Sequence, residues 1–371
     1  MEMQNTTLSA VSIGGKGEYG IAAPAVEYSN NLYTYLRITD IQDDGTLNIN
    51  NLKSVDDEKA SQYLLKPNDI VFARTGASTG RNYFYDGTDG EFVYAGFLIK
   101  FSLDPNKVNP KYIKYYCMSD IYKGWIHSFN TGSTRGNINA KTLGTMPLVL
   151  PSRQKQDIAV EILSSLDNKI RKNREINKNL QEQAQAIYQN IFINKASPSW
   201  PIGHLSDLID IKYGKDHKKL ADGKYPVYGS GGIMRYVDHF LYDKESVLIP
   251  RKGTLNNIIY VDQPFWSVDT MFYTKMKTPD SAKFIYHFIK SRDLASMNAG
   301  SAVPSMTTSI LNAIELRIPS QKALNVFENT VSSMYVMMNE NTVQLQKLTK
   351  LRDTLLPKLM SGELNVTNIK F

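Results

Sequence analysis

Residues 151–192 decide the fold. They open Pro151-Ser152-Arg153-Gln154 and continue through Ile158, Ile162, Leu166, Ile170, Leu180, Ala184, Ile187 and Ile191. Apolar residues recur at steps of three and four, the period of a helix. Pro restricts the residue before it and Ser offers an oxygen to the first free amides, so Pro151-Ser152 reads as a helix start. The run that follows contains neither Gly nor Pro. At ~1.5 Å per residue, some forty residues make a helix about 60 Å long. A helix of that length needs an equally long partner.

The partner lies in the same chain. Residues 319–360 start Pro319-Ser320 and carry Val326, Met334, Met338, Leu345, Leu348, Leu355 and Leu359. The offset is 319 − 151 = 168, and it aligns Ser164-Ser165 with Ser332-Ser333, Leu180 with Leu348 and Ile187 with Leu355. Upstream it aligns Gly132-Ser133 with Gly300-Ser301 and Leu143 with Leu311. The chain is an internal duplication, which has to be settled before anything else is read. The two helices are expected to pair within the chain as an intramolecular coiled coil. Asn173 and Asn341 align by the same offset and fall in the seam, where a buried Asn fixes register at some cost in stability.

The domains expected are 1–150, a central long helix over 151–195, a second domain over 196–318, and a C-terminal helix and tail over 319–371. Composition is that of an ordinary globular protein, with 42% hydrophobic and 21% charged residues. No apolar run approaches the ~20 residues of a membrane helix. The start, Met1-Glu2-Met3-Gln4-Asn5, lacks the basic and apolar regions of a signal peptide. One cysteine, Cys117, excludes an internal disulfide framework, suits the cytoplasm and reads as a buried structural thiol. A net charge of +7 fits nucleic acid without proving it.

The first domain reads as mixed α/β (α+β) with short strands. Tyr33 to Ile38 has strand composition and is followed by a turn at Asp43-Asp44-Gly45. Asp69-Ile70-Val71-Phe72-Ala73 is an apolar strand ending in Arg74-Thr75-Gly76-Ala77-Ser78-Thr79-Gly80-Arg81. A loop rich in Gly, hydroxyls and Arg lets backbone approach a polyanion closely. It is not a P-loop, because no Gly-Lys-Ser/Thr closes it. Phe92 to Phe101 reads as one buried strand, and Asn109-Pro110-Lys111-Tyr112 as a helix start. Residues 131–139 form a second polar, Gly-bearing loop.

Residues 202–318 repeat the plan after a short linker at Ser197-Pro198-Ser199-Trp200-Pro201. Val247-Leu248-Ile249-Pro250-Arg251-Lys252-Gly253 parallels Val71 to Gly76, and Lys283 to Phe288 parallels Lys111 to Tyr116. Gly300 to Ser305 parallels the loop at Gly132. The frame repeats while the loop residues differ, so the two modules recognise different things. One difference of frame is expected: Met1 to Gly17 shows no strand-like lead comparable to Pro201 to Ser206.

The order of domain, long helix, domain, long helix resembles the DNA-specificity subunit of type I restriction–modification enzymes. Tyr225-Pro226-Val227-Tyr228, Arg251-Lys252-Gly253, Phe265-Trp266 and Gly300-Ser301-Ala302-Val303-Pro304 resemble the family's target-recognition pattern. Leu355-Leu356-Pro357-Lys358-Leu359-Met360-Ser361-Gly362-Glu363-Leu364 looks like its C-terminal ending. The resemblance implies a non-catalytic subunit in which each domain reads half of a split duplex DNA sequence. It implies that the two helices pair antiparallel, set the spacing and dock two modification subunits, which carry S-adenosylmethionine and methylate adenine. Two restriction subunits would add ATP- and Mg-dependent translocation and cleavage. The chain itself is expected to bind no cofactor and no metal: the five histidines show no zinc-ligand spacing with Cys.

Reading bases directly needs Arg or Lys for guanine, Asn or Gln for adenine, and adaptable hydroxyls. The candidates in the first domain are Arg74, Thr75, Ser78, Arg81, Ser133, Arg135, Asn137 and Asn139. In the second they are Lys212, Lys215, Ser230, Arg251, Lys252, Thr254, Asn256, Ser301 and Ser305. Trp266 and Tyr83 read as packing aromatics in preference to base-stacking ones. The rival reading is an assembly scaffold or regulator without sequence-specific DNA binding; the basic, Gly-rich loops in both domains argue against it.

Overall fold

The computed structural model describes residues 3–129, 137–297 and 304–364. The chain forms two compact units, Met1–Lys172 with Gln344–Phe371, and Asn173–Val343. Each unit therefore takes part of both long helices. Among the described residues, no helix is long and apolar enough to cross a membrane.

The first unit is built around the strand Asp69–Ala73. It pairs antiparallel with Asn82–Tyr85 on one side and with Leu98–Ser102 on the other, and Glu18–Tyr19 lies beyond Leu98–Ser102. Ile70, Val71 and Phe72 are fully buried, which is why the strand reads as an unbroken apolar run. A second sheet has the order Ala25–Val26, Lys53–Val55, Tyr33–Leu36, Phe92–Tyr94, with the last pair parallel.

Two expectations for this unit are corrected. Phe92 to Phe101 is not one strand. It splits into Phe92–Tyr94 and Leu98–Ser102, in different sheets, around a tight turn closed by Leu98 N–H on Ala95 O at 2.8 Å. Both pieces are buried, so hydrophobicity alone did not reveal the break. The chain also has its strand-like lead: Gln4–Thr7 pairs antiparallel with Pro147–Leu150. Its sequence is polar and its face exposed to half-buried, so no alternation announced it.

Asn109-Pro110 is a helix start as expected. The Asn109 side chain accepts from Lys111 N–H at 3.0 Å and caps Pro110–Tyr116. Cys117, just beyond, is buried. The central helix, Arg153–Tyr188, brings Ala159, Val160 and Leu163 into this core beside Leu148 and Leu150. The C-terminal helix, Gln321–Met360, brings Leu356, Leu359 and Met360.

The second unit repeats this frame. Ser246–Pro250 pairs antiparallel with Ile259–Val261 and Met271–Met276, and Ile209–Tyr213 lies beyond Met271–Met276. Ile202–His204 pairs with Glu315–Arg317 as Gln4–Thr7 does with Pro147–Leu150. Asp222–Gly229 forms a hairpin with Gly232–Val237 and on its other side pairs parallel with Trp266–Ser267, matching the parallel pair of the first unit. Mostly antiparallel sheets with helices kept apart from them make each unit α+β.

Within the second unit the two long helices run antiparallel. The Tyr188 and Phe327 ring centroids lie 6.3 Å apart, and Asn177 Nδ2 donates to Met338 O at 3.2 Å, so numbers rise along one helix as they fall along the other. Ala184 is buried in the seam as expected. Leu324, Phe327, Val331 and Tyr335 face it at steps of three and four. Val326 falls off that stripe and is 49% exposed, against expectation. At Asn341 the partner across the seam is Asn177. Asn341 Nδ2 donates to Asn177 Oδ1 at 2.8 Å, and Asn177 Nδ2 reaches Thr342 Oγ1 at 3.3 Å. Asn173, half-buried, lies one turn earlier on the central helix.

Candidate nucleic-acid interface

In each unit a central strand ends at an arginine whose backbone is held on both sides. Arg74 N–H donates to Phe97 O at 3.0 Å, and Arg74 O accepts from Ile138 N–H at 2.9 Å. Arg251 N–H donates to Thr270 O at 2.8 Å, and Arg251 O accepts from Met306 N–H at 2.9 Å. The following residues form bridges to the same second loop, Thr75 with Asn137 and Lys252 with Ser305. Two loops far apart in sequence are thus joined in each unit by the same backbone pattern. The turns beyond need glycine: Gly76 has φ +73°, Gly80 +88° and Gly253 +87°.

The guanidinium groups are presented alike. Arg74 Cζ lies 5.0 Å from the centroid of the Tyr19 ring, and Arg251 Cζ lies 5.4 Å from that of Tyr213. Both arginines are half-buried. Arg74 Nε is buried without a hydrogen-bond partner among the described residues. Arg251 donates through Nη1 to Asp269 O at 3.3 Å. Tyr19 and Tyr213 each precede a glycine that presses on backbone. A Cβ on Gly20 would stand 2.2 Å from Tyr94 O, and one on Gly214 2.0 Å from Val268 O. Gly20 N–H donates to Leu98 O and Gly214 N–H to Met271 O, again equivalent positions. Sequence reading missed both tyrosines. The signal was there as the repeated Tyr-Gly at the end of a strand.

The other candidates separate into two groups. Thr75 and Lys252 sit on the arginine-bearing loops, and Asn137 and Ser305 bridge to them from the second loop. Lys215, Lys252 and Thr254 are exposed. Ser230 joins this face in the second unit, its carbonyl accepting from Asn257 Nδ2 at 2.7 Å. The remainder have structural work. Arg81 Nε is paired with Asp43 Oδ1 at 2.7 Å. Ser78 O accepts from Arg81 N–H at 2.9 Å. Asn139 caps Ala140–Gly144 by accepting from Thr142 N–H at 2.8 Å. Asn256 ties its loop to Asp293 and to Ala295 N–H. Lys212 stands 3.9 Å from Asp210. Ser133, Arg135 and Ser301 lie outside the described residues.

Tyr83 is core: it is buried and donates to Asp89 at 2.7 Å. Trp266 packs its indole against the loop through Nε1–H on Lys215 O at 2.9 Å. Among the described residues, no group of three or more His, Cys, Asp or Glu is placed to hold a metal ion.

The family model for the type I restriction modification DNA specificity domain matches residues 13–182 and again 199–326. The type I restriction enzyme HindI specificity subunit of Haemophilus influenzae is 20% identical, over 81% of this chain and 87% of that one. The MjaIX specificity subunit of Methanocaldococcus jannaschii is 20% identical over 70% of each. The crystal structure of a type I S subunit from M. genitalium superposes with a TM-score of 0.64 at 18% identity, covering 97% of this chain and 96% of that one. That likeness concerns the fold. The family match falls once on each of the two units that carry the arginine–tyrosine frame, and with it the chain belongs to the type I restriction modification DNA specificity domain family.

Proposed function

We propose that this chain reads DNA sequence for a type I restriction–modification enzyme and carries no catalysis of its own. Each unit takes one half of a bipartite duplex target. The observation that supports this is the repeated arginine-bearing loop. Its backbone frame is the same in both units, while its exposed side chains differ. A shared frame with different reading groups is what two different half-sites require.

The long helices, in this reading, set the spacing between half-sites and dock two modification subunits. Val336, Met337 and Val343 are exposed apolar residues on the C-terminal helix, the kind of surface a partner would cover. S-adenosylmethionine belongs to those modification subunits, and ATP and Mg to two restriction subunits. The assembly acts in the cytoplasm. Electrophoretic binding of the assembled enzyme to its methylation target, with the salt slope recorded, tests the reading. Binding that ignores the sequence of both halves would leave a scaffold.

A further inference from the structure

We propose that Tyr19 and Tyr213 are positioning residues that hold Arg74 and Arg251 edge-on to a guanine, one in each half of the target. This rests on the reading above and goes one step beyond it. It assigns a base to each unit and a role to two residues outside the basic loops.

A flexible surface arginine finds a phosphate anywhere along a duplex. Arg74 and Arg251 are not of that kind. Each is fixed at its backbone by two hydrogen bonds, and each lays its guanidinium against one tyrosine ring. The ring lies under each guanidinium; Arg251 spends one Nη1 hydrogen on Asp269 O and Arg74 Nε is buried, so the remaining Nη–H groups are left for a ligand. A planar fork held in one orientation matches the O6 and N7 acceptors of guanine in the major groove. Adenine offers N7 but puts a donor where guanine has O6, so the same fork rejects it. No carboxylate among the described residues pairs with either arginine, whereas Arg81 is tied to Asp43.

The tyrosines are themselves placed with little freedom. Gly20 and Gly214 fix the strand ends against neighbouring carbonyls. Tyr19 Oη also accepts from Ala140 N–H at 3.1 Å, which joins it to the second loop. The arrangement occurs twice, on strands whose sequences are otherwise unlike, Glu18–Tyr19 and Ile209–Tyr213. A chance contact has no reason to survive in both copies of the frame.

The test uses the enzyme assembled with its modification subunits, on duplexes carrying the methylated target. Wild type, Tyr213→Leu, Tyr213→Phe and Arg251→Ala are compared on the native duplex, on duplexes with each G·C pair of that half-site replaced, and on 7-deazaguanine duplexes, which lack N7. Tyr213→Leu should lower discrimination at one G·C pair roughly three- to tenfold, the range of a stacked guanidinium. Tyr213→Phe should restore it. Discrimination in the other half-site should stay intact, which shows that the variant is folded. On 7-deazaguanine the wild type should fall to the level of Tyr213→Leu.

If Tyr213→Leu discriminates like wild type while Arg251→Ala does not, the positioning role is wrong and the DNA reading stands. If Arg251→Ala weakens all sequences alike and flattens the salt slope, the arginine sits on phosphate and the guanine assignment is wrong. If Arg251→Ala changes neither, the loop does not face DNA and both readings fall. Tyr19→Leu and Arg74→Ala repeat the test in the other half.

Discussion

His287 Nε2 and Tyr335 Oη lie 2.9 Å apart, and they stand where the first unit places Tyr115 and Asp167, joined at 2.8 Å. The offsets are 287 − 115 = 172 and 335 − 167 = 168, those of the short helices and of the long helices respectively. The duplication thus kept a hydrogen bond between short and long helix while replacing both of its members. The third partner differs as well. Gln185 Oε1 is 2.6 Å from His287 Nδ1, whereas Arg352 Nη1 is 3.3 Å from Asp167 Oδ1. One site is neutral and the other charged.

The neutral site makes the second unit sensitive to acid. Gln185 Oε1 accepts, so His287 Nδ1–H donates and Nε2 accepts from Tyr335. Burial first, and the Lys290 ammonium next, push His287 down to about 4 from its ordinary 6.5. Between those values the unfolded chain takes up a proton that the folded one refuses. The stabilisation is therefore complete above pH 6.5 and is lost as pH falls toward 4, by about 3 kcal/mol. Denaturant melts from pH 7 to 4.5 on wild type and His287→Gln check this. Parallel pH profiles for the two proteins would rule it out.

Lys283 is a buried charge of the second unit. It is 5% exposed and reaches Glu245 at 2.9 Å and Glu328 at 2.6 Å. Burial pushes the ammonium down, and the hydrogen bonds to the two carboxylates outweigh it, so the net shift is upward. Lys283→Met leaves Glu328, half-buried with its Oε2 out of solvent, without its cation and should cost about 3 kcal/mol. Its counterpart Lys111 faces Asp86 at the surface, and Lys111→Met should cost less than about 1 kcal/mol. Equal losses in thermal melts would contradict this difference.

Gly214→Ala should disturb DNA reading without touching a candidate contact. Its Cβ would stand 2.0 Å from Val268 O, so the strand end carrying Tyr213 must move. We expect weaker discrimination in one half-site only, measured by competition with substituted duplexes. An unchanged profile would mean that the Tyr213 position does not matter.

Arg81→Ala is the opposite case. Arg81 is held by Asp43 and by Ile41 O, an exposed pair worth no more than about 1 kcal/mol to stability. Specificity should not change, whereas Arg74→Ala, which removes an unpaired fork, should relax one base pair by about 1–3 kcal/mol. A specificity change in Arg81→Ala would return that residue to the interface.

Much of this was legible in the chain. The two long helices, their start at Pro-Ser and the duplicated frame follow from periodicity and offset, because a long buried stripe needs many consistent residues. Arg74 and Arg251 stood out because Gly and hydroxyls follow an apolar strand. What the sequence hid was pairwise. Asn139 and Asn256 look like readers of adenine until their loops are seen to use them as a cap and a tie. Arg81 looks free until Asp43, 38 residues away, is brought beside it. Tyr19 sits on a two-residue edge strand too short for a pattern and Tyr213 ends an alternating edge strand, Ile209-Asp210-Ile211-Lys212-Tyr213, that reads as ordinary half-buried sheet, so only their glycines marked them.

The central claim is that each unit reads its own half of one split DNA sequence. A genome-wide adenine methylation map of the host tests it most directly, recorded without the gene and with wild type, Arg74→Ala or Arg251→Ala. The account predicts one bipartite motif whose methylation depends on the gene, with each variant relaxing a different half. No dependent motif, or both variants relaxing the same half, would contradict it.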